Sequence, residues 1–424
     1  MSPFWVTFLK ALGGVGAAVG IGWFIWFLVK ECRKKKKRKE EEVRRREEQE
    51  KLKQDITTDL EQKFERILEE KFRNLPVYLD GLPQTTEPDK AKLLDEGLDA
   101  MDKYHHAEAI DKFQEVFNLE TDDNERCALL NLIGLSQFDK GDRKDAEQTF
   151  LEMIRIAENA KIEEALAAAL GNIGLVYRTL GEPHKALEYH QKALEVAEKI
   201  GNLEIQASVL GNIGNVYQTL GEPEKALEFY NRVLEIEEKL GRLESKANAF
   251  GNIGLVYQTL GKPQKALEFH ERALEINKKI GRLEGQAHQL GNIGLVYQTL
   301  GEPKKALDYH QKALKIAKKI GNLEIQANAL GNIGNVYGDL GDTEKALEYH
   351  ERSLKLAEQI GNPEVQANQL NNIGVVYETL KQFKEALSYF QRAREMYVKI
   401  GAKHEVEKAD RGIARVKKAM GEGG

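Results

Sequence analysis

Seven consecutive segments of this 424-residue chain, the first beginning at Asn131, repeat with a period of 40 residues. The middle copies are nearly identical, as GNIGNVYQTLGEPEKALEFYNRVLEIEEKL at 211–240 and GNIGLVYQTLGKPQKALEFHERALEINKKI at 251–280 show. A fixed period of this length predicts a solenoid, in which each unit contacts mainly its neighbours. Such a fold presents an extended surface and not one deep cleft, so the repeat favours binding over catalysis.

Each copy contains two helical patterns. In the segment 203–220, apolar residues recur at spacings of three and four, which is typical of an amphipathic helix; they are Ile205, Val209, Ile213, Val216, Tyr217 and Leu220. Gly221 is the expected left-handed end of this first helix, and Pro223 the expected start of a second one that ends before Gly241. We expect Gly214 and Ala226 to let the two helices cross closely, with Tyr217 filling the space beside them.

These residues resemble the tetratricopeptide repeat. The matching positions are Ile213, Gly214, Tyr217, Ala226, Tyr230 and Val233 in one copy and Ile253, Gly254, Tyr257, Ala266, His270 and Ala273 in the next. The ordinary family period is about 34 residues. The longer period is similar to that of the Pins/LGN and rapsyn repeats, whose helix starts resemble LGNIGNVY at 210–217.

The resemblance covers residues 91–400 and implies an all-α superhelical solenoid of eight helical hairpins. A degenerate first hairpin at 91–119, with Gly97 and Ala107 at the small positions, and a polar last helix at 403–419 within the tail 401–424 would cap its ends. A transmembrane helix and a charged helical stalk are expected to precede the solenoid.

Residues 1–30 are predicted to form a single transmembrane anchor. The run from Ala11 to Val29 is uncharged and largely apolar, and all three tryptophans of the chain lie in this segment. The basic cluster Arg33–Lys39 follows it, which predicts an external N-terminus and repeats on the cytoplasmic side. The cluster is interpreted as a stop-transfer signal, although a nuclear localisation signal and an anionic-lipid patch remain alternatives.

Residues 31–75 contain the basic cluster and the charged stalk, and residues 76–90 contain three prolines and form the predicted linker. The thin apolar stripe of the stalk fits either a coiled coil with a second chain or a solvated helix. Gly16 and Gly20 would permit close pairing of two spans. Homodimerisation through the span or the stalk therefore stays open.

The sequence contains no pattern typical of an enzyme or a metal centre. No phosphate-binding glycine loop is present, and Cys32 and Cys127 are too few and too far apart for a zinc ribbon. Cys127 is expected to be a small core residue. Residues 55–424 carry a net charge of −12, which argues against nucleic acid as a partner. We therefore expect no enzyme activity, no cofactor and no metal.

Four histidines occupy one slot of the second helix in successive copies: His190, His270, His310 and His350. Neighbouring helix axes are about 8–10 Å apart, whereas zinc needs each ring nitrogen at about 2.1 Å. Tyr230 and Phe390 fill the same slot elsewhere. The pattern therefore predicts a packing role for the rings.

One polar stripe runs along the first helices, away from their apolar face. Its candidate peptide-binding residues are Ser208, Asn212, Asn215, Asn248, Asn252, His288, Asn292, Asn328, Asn332 and Asn335. In the family this stripe lines a concave groove, where asparagine can hydrogen-bond to the backbone of an extended peptide. Asparagines that recur in every copy also fit inter-repeat contacts, so the varying positions are favoured for ligand contact. Where clamp-type family members carry lysine, this chain has glycine, for example Gly211 and Gly251.

Together these patterns predict a membrane-anchored scaffold on the cytosolic side that binds peptide segments of partner proteins. A self-associating structural protein at the membrane is the alternative. A protein-import receptor is a narrower version of the first hypothesis, which the missing lysine clamp disfavours.

Overall fold

The computed structural model describes residues 88–103 and 105–421. Within those ranges the chain forms seventeen helices and no strand. In chain order they are α1 Pro88–Asp102, α2 His106–Leu119, α3 Asp123–Lys140, α4 Arg143–Ala160, α5 Glu163–Thr179, α6 Pro183–Ile200, α7 Leu203–Thr219, α8 Pro223–Leu240, α9 Leu243–Thr259, α10 Pro263–Lys279, α11 Leu283–Thr299, α12 Pro303–Ile320, α13 Leu323–Asp339, α14 Thr343–Gln359, α15 Pro363–Thr379, α16 Phe383–Lys399 and α17 Lys403–Ala419.

The first sixteen helices are arranged as eight hairpins, and α17 follows the last one, as the repeat predicts. Short turns separate the helices, and Gly221 and Gly241 adopt φ angles of 71° and 69° there. Residues with a Cβ rarely adopt this left-handed conformation, so glycine at these positions ends one helix and reverses the chain. Proline begins several of the next helices, where no intrahelical N–H bond is lost.

Each hairpin is locked by one glycine on its first helix and one ring on its second. A Cβ on Gly214 would lie 2.7 Å from Tyr230 Cε1, and a Cβ on Gly254 would lie 2.6 Å from His270 Cε1. The same contact recurs from Gly97 with Phe113 to Gly374 with Phe390. The ring that fills the space beside Gly214 is therefore that of Tyr230. Tyr217, which the sequence placed there, instead stacks on Phe229 at 5.3 Å.

The helices belong to two compact units, one ending at Ile236 and the other beginning at Glu237. In the first unit, a continuous core includes Phe113 and Phe150. Cys127 is also fully buried there, as predicted, and burial raises the pKa of its thiol to about 12. In the second unit, a core cluster includes Ile293 and Ile333. Both cores are built from the apolar stripes that the repeat predicts.

The two ends of the described chain fit the expected caps with one correction. The buried small residue of the first hairpin is Ala109, whereas Ala107 is exposed, because Ala109 stands at the twelve-residue spacing from Gly97 that separates Gly214 from Ala226. At the other end, α17 buries Ala409, Gly412 and Val416.

The expected anchor (1–30), the basic cluster and stalk (31–75) and the linker as far as residue 87 lie outside the described residues. Pro88 to Lys90, the last three residues of the expected linker, begin α1. None of the helices α1 to α17 combines the length and the apolar character that a membrane span requires.

Candidate peptide-binding face on the first helices

The candidate face is formed by one side of the first helices of the hairpins, and it is described separately for each unit. Residues four, three and four apart on an α-helix lie on one side, so each first helix brings its share of the polar stripe together. The structure places Ser208, Asn212 and Asn215 on α7 in the first unit. The other seven candidates lie on α9, α11 and α13 in the second unit.

Two of the three candidates in the first unit have polar atoms without an intramolecular partner. The Ser208 hydroxyl and the Asn212 amide nitrogen are both shielded from solvent, and neither forms a hydrogen bond. They lie one helical turn apart on α7. A buried donor without a partner costs about 1–3 kcal/mol. Asn215 differs from them, because its Oδ1 accepts a hydrogen bond from the Tyr230 hydroxyl at 2.6 Å.

In the second unit, two of the varying asparagines also have partners within the chain. Asn248 Oδ1 accepts a hydrogen bond from Arg282 Nη1 at 2.9 Å, and Arg282 also lies 3.2 Å from a Glu244 carboxylate oxygen. Asn335 Oδ1 accepts from Asn372 Nδ2 at 3.2 Å. The asparagine choice at these positions therefore has a structural reason. Ligand contact by their remaining amide groups stays a prediction.

The remaining candidates of the second unit lie on the same helices with different exposure. Asn252, Asn292 and Asn332 are half-buried, whereas His288 and Asn328 are exposed. The recurrent asparagine can indeed join neighbouring repeats, because in the first unit Asn172 Nδ2 donates to Asn131 Oδ1 at 2.8 Å. The recurring position thus serves the fold in at least that copy.

Apolar side chains alternate with these amides on the second unit's face. Leu255 and Val375 occupy the position of Asn335 in their own copies, and they are 37% and 42% exposed. Leu295 in the same position is half-buried. Amides that can bond to a peptide backbone, next to exposed apolar side chains, suit an extended segment with both polar main chain and apolar side chains.

The four histidines fill the ring slot as predicted. The rings of His190, His270, His310 and His350 each lie against the glycine of the same hairpin. Burial lowers the pKa of all four, to about 3 for His190 and about 4 for His310. The imidazoles are therefore neutral at pH 7. In the described part of the chain, no group of three potential metal ligands is brought together.

One residue of the first unit's face was missed from the sequence. Arg178 on α5 is half-buried, and its Nε is shielded from solvent without a hydrogen-bond partner. The corresponding residues of the next three copies are Gln218, Gln258 and Gln298. The sequence signal is the exchange of glutamine for arginine in one copy, at a position next to the polar stripe.

Helix α12, the second helix of its hairpin, carries an unusual charge. It contains six lysines and a single aspartate, whereas the corresponding helices α10 and α14 mix both signs. Lys304, Lys315, Lys318 and Lys319 are exposed. Of the six lysines, Lys305 and Lys312 lie within ion-pair distance of Glu302 and Asp308. More widely, residues 88–236 have 16 basic and 29 acidic side chains, whereas residues 237–421 have 29 basic and 23 acidic ones.

The repeat pattern matches a known family. The family model of the tetratricopeptide repeat matches residues 165–239, 243–319 and 324–399, which together make up more than half of the chain. No curated protein matches this sequence at a significant level.

Solved structures share the fold at low sequence identity. The apo form of the quorum sensor NprR from B. thuringiensis is 19% identical, with a TM-score of 0.55 over 80% of this chain and 96% of that one. A Rap protein complexed with competence and sporulation factor is 16% identical, with a TM-score of 0.50 over 79% and 99%. The STAND protein PH0952 from Pyrococcus horikoshii, which has a tetratricopeptide repeat sensor, is 19% identical with a TM-score of 0.53 over 80% and 51%.

Proposed function

We propose, on the premise that this chain belongs to the tetratricopeptide repeat family, that it is a protein-binding scaffold whose first helices hold an extended peptide segment of a partner protein. Proteins with this repeat are generally binding scaffolds and not enzymes. The likeness to a Rap protein complexed with a factor supports a binding role. No catalytic function is proposed.

The observation that carries this proposal is the pair of buried, unpartnered polar atoms on α7, Ser208 Oγ and Asn212 Nδ2. Rotation of the Asn212 side chain toward a bound peptide would let a peptide carbonyl accept a hydrogen bond from its amide and so offset the cost of the unpartnered nitrogen. In the second unit, taken by itself, the exposed Leu255 and Val375 supply apolar contacts of the kind that a peptide side chain needs.

Peptide selection tests this proposal directly. The full chain, solubilised in detergent, is used to select peptides from a random library, and the affinity of a selected peptide is measured. Asn212→Leu introduces a leucine, which is the natural residue at the corresponding position of α3, Leu132. We expect it to weaken binding by about 1–3 kcal/mol. Gln191→Ala on the exposed side of α6 is the matched control and should leave affinity unchanged. Equal affinity for both variants would place binding elsewhere.

We further propose that residues 1–30 anchor this scaffold in a membrane as a single span, with the N-terminus outside and the repeats in the cytoplasm. The support is the apolar run Ala11–Val29 followed by the basic cluster Arg33–Lys39. The finer likeness to Pins/LGN and rapsyn repeats rests on the 40-residue period and on the helix start LGNIGNVY at 210–217.

A protease test decides the topology. Protease added to intact cells should leave the repeats uncut, and degradation only after permeabilisation is the expected result. Deletion of residues 1–39 should release the protein from the membrane fraction. Persistent sedimentation of that variant with membranes after a salt wash would contradict a single anchor.

A second candidate function is self-assembly at the membrane, favoured by the opposite charges of the two units and by the lysines of α12. An acidic unit of one copy could bind the basic unit of the next, a head-to-tail contact that can extend. Association should then weaken as salt screens the charges. Analytical ultracentrifugation of the full chain in detergent at low and high salt tests this, and a monomer under both conditions would exclude it.

A further inference from the structure

Arg178 is a cation on the candidate face of the first unit that lacks an acidic partner. No carboxylate of the described residues forms an ion pair with it, and its Nε has no hydrogen-bond partner. The group is half-buried, and burial lowers the pKa of its guanidinium. A buried charge is normally paired, because removing it from water is costly. The guanidinium nonetheless stays charged at neutral pH.

The imidazole ring beside Arg178, that of His190, also lacks hydrogen-bond partners. His190 is 0% exposed, and neither of its ring nitrogens has a partner. Arg178 lies close enough for its charge to contribute to the low pKa of His190. In the second unit, Gln258 stands where Arg178 stands, and its Nε2 lies 2.8 Å from the Nε2 of His270. Arginine therefore replaces a residue that satisfies the ring in that copy, and the Nε of Arg178 gains no hydrogen bond in exchange.

We infer that Arg178 binds a carboxylate of the peptide segment that docks on the first helices. The planar guanidinium presents a fork of donors that matches the two oxygens of a carboxylate, whereas a glutamine cannot supply the charge. The carboxylate is an aspartate or glutamate side chain of the peptide or its free C-terminus. This inference rests on the proposed binding function and names the chemistry that the first unit selects.

Two random peptide libraries test the inference on the full chain in detergent, one with free C-termini and one without. The wild type should enrich peptides with Asp or Glu at one aligned position, or only peptides from the free-terminus library if the C-terminal carboxylate is bound. Arg178→Gln should lose that preference. The control Arg155→Gln changes an exposed arginine of α4 that lies near Glu152, and it should keep the preference.

Measured peptide affinities then isolate the contact between Arg178 and the carboxylate. Arg178→Gln should lower the affinity for a selected acidic peptide at least tenfold. Changing the acid of the peptide to its amide should lower the affinity of the wild type equally. The two changes together should cost no more than either one, because they remove the same interaction. The amide peptide tests the contact on the unaltered protein, so the result does not depend on the folding of the variant.

The outcomes separate this inference from the proposal beneath it. Enriched peptides without an acidic preference, or an unchanged preference in Arg178→Gln, would overturn the role of Arg178 and leave peptide binding intact. A failure of the wild type to enrich any peptide would overturn both.

Discussion

The hydroxyl of Tyr230, a fully buried residue, donates a hydrogen bond of 2.6 Å to Asn215 Oδ1. Hairpins with leucine in the position of Asn215 carry histidine or phenylalanine in the ring slot, and the hairpin with Val375 carries Phe390. Asn215 is therefore the residue that allows a tyrosine to fill the slot against Gly214, because the buried hydroxyl needs an acceptor.

Asn215→Leu should consequently destabilise the protein even though leucine occurs at this position in sister copies. Loss of the acceptor leaves the Tyr230 hydroxyl unsatisfied, at a cost of about 1–3 kcal/mol. The double variant Asn215→Leu with Tyr230→Phe imitates the pairing of Val375 with Phe390 and should recover most of that loss. Chemical denaturation of both variants measures this. Equal stability losses in the single and double variants would show that the hydrogen bond is unimportant.

Replacing each of two glycines of the second unit by alanine should change stability in opposite directions. The added Cβ in Gly254→Ala would lie 2.6 Å from His270 Cε1, whereas nothing lies within 4 Å of the Cβ that Gly291→Ala adds. We expect the first change to cost about 1–3 kcal/mol through overpacking. The second should stabilise its helix by about 0.5–1 kcal/mol. Hydrogen exchange in α9 to α12 measures both effects locally, and similar shifts would contradict the close crossing at Gly254.

The buried, neutral histidines of the ring slot predict that the protein loses stability in acid. Burial lowers the pKa of His310 to about 4, whereas an unfolded histidine titrates near about 6.5. Between these values the unfolded chain binds a proton that the folded ring does not bind, so stability falls as the pH falls through this range. The difference corresponds to about 3 kcal/mol for this group.

His310→Phe tests this pH dependence, because phenylalanine already fills the slot at Phe150 and Phe390. Unfolding free energies measured between pH 7 and pH 4 should fall less steeply for the variant than for the wild type. The other histidines of the slot keep their own contributions. An unchanged slope would mean that His310 does not titrate as its burial implies.

The repeat pattern predicts most of the fold because it records local chemistry. The helix boundaries follow from Gly221 and Pro223, and the hairpin crossing follows from Gly214 and Ala226. The ring beside Gly214 was assigned wrongly, because apolar spacing locates the apolar side of a helix but not which neighbouring helix supplies the filling side chain. In the first hairpin the motif is degenerate, and a two-residue error in the small position followed.

The candidate site was less predictable, because its hydrogen bonds join side chains that are distant in sequence. Asn248 and Arg282 are 34 residues apart, and Asn335 and Asn372 are 37 apart. Variation among copies was interpreted as a sign of ligand contact. The structure shows that a varying asparagine can instead form a hydrogen bond with a side chain of the neighbouring copy. Arg178 carries more information, since no partner in the described chain accounts for it.

The junction between α8 and α9 contains two residues, Glu237 and Arg242, that both differ from their counterparts in the copy with α12 and α13. Glu237 is buried, and both of its carboxylate oxygens accept hydrogen bonds from Arg242, at 2.9 and 2.6 Å. In the copy with α12 and α13, the two positions hold Ala317 and Asn322. There Asn322 caps the next helix by accepting a hydrogen bond from the Ile325 backbone N–H. The turn therefore has at least two self-consistent solutions, an ion pair or a small residue with a helix cap, and a further copy combines Arg282 with Asn277.

Arg242→Asn alone combines the glutamate of one solution with the asparagine of the other, and it should destabilise the second unit. It leaves the Glu237 carboxylate buried without its cation, which typically costs about 3–5 kcal/mol, whereas the new cap returns only about 1 kcal/mol. The double variant Glu237→Ala with Arg242→Asn adopts the other solution completely and should be at least as stable as the wild type. Denaturation of the single and double variants measures this difference. If the double variant were no more stable than Arg242→Asn, the buried ion pair would not be what requires arginine at this turn.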